Sequence, residues 1–205
     1  MNFLFYAMII LMVVMTISNV RKMKSFGNER GFIDVYGKVL DGQDKAREEL
    51  EEYLNTNQIE YLNAKAMLVK IYDDLRNGLE YREDIEKLNL APLFTSNGQF
   101  SKEMFNKNCD VFIWLSLIYA VAYKNNLKDA ADEIDRKMMV FKDKFNSFLE
   151  YHLYLGYMSS LNRNKNDDYK FLQKLIDGEY NGLIYEKKLI GLYKREAAIF
   201  LFKNN

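Results

Sequence analysis

The chain has 205 residues, with 29 Lys and Arg balanced by 29 Asp and Glu, 49% hydrophobic and 15% aromatic residues, one proline and one cysteine. A formal charge of zero excludes the strongly basic surface on which phosphate-backbone binding rests, so no nucleic-acid partner is expected. The apolar content excludes a disordered chain, and the lone Cys109 excludes an intrachain disulfide.

Asn2 to Val20 (NFLFYAMIILMVVMTISNV) carries no charge, and Arg21, Lys22 and Lys24 follow it directly. As a helix this run spans roughly 28 Å, close to the hydrocarbon thickness of a bilayer. Residues 1–20 are therefore expected to form a single transmembrane anchor in contact with the lipid bilayer through residues 2–20. A cleaved signal peptide is the competing reading, since Thr16 and Ser18 are small, but no basic residue precedes the apolar run. The basic flank favours the cytoplasmic side. The expected location is the cell membrane, single-pass, with the C-terminal domain cytoplasmic. Arg21, Lys22, Lys24 and Arg30 are candidates for contact with anionic lipid headgroups.

Residues 21–42 read as a juxtamembrane linker, with several glycines and a short helix or strand at Phe32–Leu40. From residue 43 to 205 helical periodicity dominates. Few breakers, with much Leu, Glu, Lys and Tyr, predict an all-α domain. Ala46, Leu50 and Leu54 form a stripe on a helix with an acidic, solvated face. Asn57 and Glu60 read as a capping box for a helix with Leu62, Ala66, Val69 and Leu75 inward, stopped at Gly78. A short helix covers Arg82–Leu90, and Pro92 and Asn97-Gly98 interrupt the pattern. Ser101 is expected to cap a helix running to about Lys124. Its apolar run Val111–Tyr123 is too short for a comfortable membrane crossing and reads as the central buried helix.

Asn126 is expected to cap an amphipathic helix carrying Ala130, Ile134, Met138 and Phe145. Ser147 with Glu150 reads as a capping box for the aromatic helix FLEYHLYLGYMSSL. Asn166, with Asp167 and Asp168, starts another helix. Asp177–Gly182 reads as a loop, and a final helix covers about Leu183–Phe202. Short connections favour antiparallel helical hairpins.

At Trp114 the spacing resembles the tetratricopeptide-repeat family. Trp114, Leu117 and Ala130 match that pattern, and Ile134 stands in for its Phe. Ile118, Val121 and Lys137 depart from it. The resemblance covers about two hairpins and implies a right-handed stack with a concave, peptide-binding face.

Chemistry is sparse. His152 is the only histidine. It stands among aromatic residues and reads as packed rather than catalytic. Cys109 reads as a structural thiol. There is no Cys/His ligand cluster, no glycine-rich phosphate loop and no G-x-S-x-G. No catalytic residue, cofactor or metal is expected, and the chain does not read as an enzyme. The expected function is a membrane-anchored scaffold or adaptor that binds a protein or peptide partner. An accessory subunit of a membrane complex and an enzyme with a site outside known motifs are the alternatives.

Overall fold

The computed structural model describes residues 27–185 and 187–203. Contacts divide the chain into two compact units, Met1–Ala66 and Met67–Asn205, with the boundary inside one helix.

In the first unit the helix α1 (residues 27–41) occupies most of the expected linker. The chain turns at Gly42, whose φ of 65° is one that glycine adopts without cost, and α2 (Ala46–Thr56) follows. Phe32, Val39, Ala46 and Leu50 are buried, and the Phe32 ring meets Tyr36 and Tyr53. Lys38 joins the two helices through Glu49 at 2.8 Å. The helix α3 (Glu60–Asn77) opens two residues later than a cap at Asn57 predicts. Asn57 Oδ1 instead accepts from the Ile59 N–H, and its Nδ2 donates to Asn63 Oδ1.

In the second unit α3 ends at Gly78, with φ of 69° and the Leu79 N–H bonded to the Asp74 carbonyl. Two short helices follow, α4 (Arg82–Lys87) and α5 (Ala91–Phe94). Pro92 lies in the first turn of α5, where its missing N–H costs nothing. Asn97 and Gly98, both at positive φ, then close a hairpin between β1 (Thr95–Ser96) and β2 (Gln99–Phe100).

Ser101 caps as expected, its hydroxyl accepting from the Met104 N–H. The helix expected to run on to Lys124 is broken, however, into α6 (Lys102–Lys107) and α7 (Val111–Lys124). Asn108 is the cause: it is fully buried and its side-chain amide donates to the carbonyls of Leu93 and Met104.

The helices α8 (Lys128–Met139), α9 (Lys142–Phe145), α10 (Leu149–Leu161) and α11 (Asp167–Asp177) come next. A 3₁₀ turn at Lys187–Leu189 leads into α12 (Ile190–Lys203). Two caps differ from expectation. Asn126 does not open α8 but closes α7: its φ is 58°, and the Leu127 N–H bonds back to the Ala122 carbonyl. At the start of α10 the Ser147–Glu150 box does not form. The Leu149 N–H donates to the Ile184 carbonyl, and the Ile184 N–H donates to the Ser147 carbonyl. Asn166 does cap α11, accepting from the Tyr169 N–H.

Two apolar cores organise this unit. Phe94, Phe105, Phe112, Phe145 and Phe148 gather where α5, α6, α7 and α9 meet α10. The Phe105 and Phe148 rings stack at 3.8 Å, and Phe94 meets Phe145 edge-on at 4.7 Å. The second core lies between α10, α11 and α12, around Leu149, Leu153, Leu172, Leu175, Ala197 and Leu201. The short connection makes α10 and α11 antiparallel. In contrast, α12 runs parallel to α10, because Glu150 meets Tyr193 near both starts and Ser160 meets Phe200 near both ends.

The all-α class is therefore seen, but the expected fold is corrected. The anchor expected over 2–20 lies outside the described residues. Among the described residues, no helix is long and apolar enough to cross a membrane. The longest described helix with printed bounds, α3, has 18 residues and carries Glu60, Lys65, Lys70, Asp73, Asp74 and Arg76. The strongly apolar α7 has 14 residues. That length gives roughly 21 Å, short of a hydrocarbon core of about 30 Å. Among the described residues, the expected stack of hairpins is replaced by long helices interleaved with short ones and a small β-hairpin.

Candidate binding cavity

The 3.6-residue period of three helices builds a cavity of about 370 Å³ in the second unit. From α7 come Phe112, Ile113, Ser116 and Leu117, one strip of the helix, preceded by Cys109 and Asp110. From α10 come Glu150, Leu153, Tyr154 and Tyr157, again at steps of three and four. From α12 come Leu192, Tyr193, Glu196, Ile199 and Phe200, with Leu189 just before the helix. The core stripe of α12 is Tyr193, Ala197 and Leu201. The cavity therefore uses the neighbouring stripe, displaced by about one residue around the helix.

The walls are mostly apolar. Tyr157 and Phe200 lie with ring centroids 4.2 Å apart, and the Phe200 carbonyl is held by the Ser160 hydroxyl at 2.8 Å. The Phe112 ring packs against Tyr151 and Tyr154 at 5.9 and 5.7 Å. The rim is exposed: Ile113 is 51%, Leu192 45% and Ile199 38% accessible. These apolar side chains remain in water on two helices flanking one hollow, unlike the scattered apolar residues of an ordinary surface.

The polar groups of the lining are carboxyls, phenols, a thiol and a hydroxyl. Glu150 is only 7% exposed and accepts from the Tyr193 hydroxyl at 2.8 Å. Burial raises the Glu196 carboxyl above its ordinary value. The Tyr154 hydroxyl donates at 3.1 Å to Asp135, which does not line the cavity. Burial, followed by the Asp135 charge, pushes that phenol well above its ordinary value. Burial likewise raises Tyr157.

The residues singled out from sequence fall elsewhere, with one exception. Arg21, Lys22 and Lys24 lie outside the described residues, and Arg30 is exposed on α1. His152 lies on α10 but does not line the cavity. Its Nε2 bonds to the Asn146 carbonyl at 2.8 Å, and its ring packs against Phe171 at 5.2 Å. Cys109 does line the cavity, as a thiol outside any disulfide. No group of metal-ligating side chains occurs among the described residues. Sequence reading missed Glu150 and Glu196. For Glu196 a signal existed: Leu192, Glu196 and Ile199 form an i, i+4, i+7 strip beside the core stripe of the last helix.

No family model matches this chain, and neither a curated protein nor a solved structure matches it. The resemblance at Trp114 thus rests on its residues alone. Trp114 and Ala130 are buried on α7 and α8, and Leu117 lines the cavity.

Proposed function

We propose that this chain is a protein-interaction module whose cavity between α7, α10 and α12 takes an apolar segment of a partner protein. The observation that carries this reading is the exposed rim of Ile113, Leu192 and Ile199 around a hollow of about 370 Å³. That volume falls within the usual range for binding pockets, and apolar surface at a concave site is what a partner covers.

The test is selection of peptides on the full-length chain, followed by affinity measurement with the Leu192→Asp, Ile199→Asp double variant. Both positions are exposed, so helical content by circular dichroism should be unchanged. The expected loss of affinity is about tenfold or more, because two charges would be brought against an apolar partner. Selected peptides that bind wild type and double variant equally would place the binding surface elsewhere.

A further inference from the structure

We propose that the cavity between α7, α10 and α12 takes its partner segment as an amphipathic α-helix, laid along α12 and running opposite to α10 and α12. This choice of conformation and direction rests on the peptide-binding reading.

Backbone hydrogen bonds decide the conformation. Each residue of an extended segment carries an N–H and a C=O, and both are costly to take out of water without partners. Extended peptides therefore bind where a sheet edge or a set of polar side chains receives those groups. This cavity offers neither. Its three walls are helices, whose interior backbone groups are bonded within the helix. The carbonyls of Cys109 and Asp110, just ahead of α7, accept from the Phe112 and Ile113 N–H groups. The polar side chains are committed as well. The Ser116 hydroxyl donates to the Phe112 carbonyl at 2.7 Å, Tyr193 donates to Glu150, and Tyr154 donates to Asp135. Cys109 and Asp110 have interactions of their own. That leaves at most the Tyr157 phenol and the Glu196 carboxyl, too few for an extended chain. A helix brings its backbone bonds with it and asks the walls only for apolar contact.

The spacing of the lining fits the same occupant. Leu189, Leu192, Glu196 and Ile199 follow one another at steps of three, four and three. On α10, Glu150, Leu153 and Tyr157 follow at three and four. Helices in a bundle meet along such steps. The exposed Leu192 and Ile199 stand two turns apart, roughly 10 Å, which is the i, i+7 repeat of a helix lying beside them. Charge complementarity decides the direction. Because α10 and α12 run parallel, their partially positive starts lie at the same end of the cavity. An incoming helix that runs the other way sets its partially negative end there.

The test uses the full chain and two synthetic peptide libraries of equal composition. One fixes leucines at i, i+3 and i+7, the other at alternate positions, and binding is read by fluorescence anisotropy. The first should yield binders and the second none. The Leu192→Asp, Ile199→Asp double variant should bind them about tenfold more weakly or worse. Equal binding to that variant would overturn the placement in this cavity. Proline at a solvent-facing position inside such a binder should weaken it about a hundredfold, the cost of proline within a helix expressed as affinity. Unchanged affinity, or alternate-spaced peptides that bind as tightly, would overturn the helical occupant and leave the peptide-binding reading standing. A nitroxide at the peptide N-terminus should broaden amide signals near Phe200 in NMR spectra, and broadening near Leu189 instead would overturn the direction. No binder from either library would overturn both readings, and uptake of a fluorescent fatty acid in its place would make the occupant an acyl chain.

Discussion

Gly156 marks where α10 and α11 come closest. A Cβ built there would stand 2.6 Å from Leu172 Cδ2 and 2.8 Å from the Asp168 carbonyl oxygen. The second of these is backbone and does not yield. The glycine is thus required for close approach, in a helix where glycine otherwise costs stability. Gly156→Ala is expected to destabilise the chain by about 1–3 kcal/mol, read as a lower midpoint in urea with an unchanged slope. Ion pairing shows the opposite economy. Lys70 bonds both Asp74 and Asp84. Burial works to lower its ammonium, but those two hydrogen bonds outweigh it and the net shift is upward. Pairs such as Lys87 with Glu83 sit in water, where geometry of this kind contributes little.

Among the elements, five described helix ends, at Gly42, Gly78, Asn126, Arg163 and Gly178, share one closing geometry, and three of them show how far sequence announces it. The residues Gly78, Asn126 and Arg163 take φ of 69°, 58° and 53°, and the next N–H in each case bonds back to a carbonyl in the last turn. The glycine is a legible stop. Asn126 has the right chemistry, yet asparagine serves equally at a helix start, so its role is ambiguous in sequence. Arg163 carries no signal, because its left-handed conformation is imposed by the return of the chain from α10 to α11. Arg163→Gly should therefore stabilise the chain by about 0.5–1 kcal/mol, measurable as a raised thermal midpoint. The break between α6 and α7 has a similar origin. Asn108 stands in a pattern that reads as continuous helix, and only the distant Leu93 carbonyl explains why it is buried there. The first turn of α10 finds its partner in Ile184, far along the chain, so the local Ser147–Glu150 signal loses to a tertiary one. Glu150 is thereby left to the cavity and to Tyr193.

Across the whole molecule, the half-buried carboxyl of Glu196 couples stability to pH. Its value is raised above the ordinary 4.5, so the folded chain holds this proton more tightly than the unfolded chain. The stability this provides is full below the unfolded value and is lost as pH rises through the folded one. Glu196→Gln, which stays neutral throughout, should match wild type below pH 4.5 and be the more stable protein at neutral pH. Thermal midpoints of both chains at the two pH values check this, and a difference that does not change with pH would contradict it. Asp110 and Glu150 line the same cavity, so the comparison is best made with both left intact.

By itself the sequence determined the all-α class, the largely buried character of Val111–Tyr123 apart from the exposed Ile113, the caps at Ser101 and Asn166, and the stop at Gly78. Each is decided within one or two turns, by periodicity or by a side chain meeting its own backbone. Tertiary structure alone decided the break at Asn108, the closing role of Asn126, the parallel run of α10 and α12, and the cavity with its carboxyls. Those depend on pairs such as Glu150 with Tyr193 or Leu149 with Ile184, which meet only after the helices pack. A stripe displaced by one residue around α12 looks like ordinary surface until α7 and α10 close the hollow in front of it.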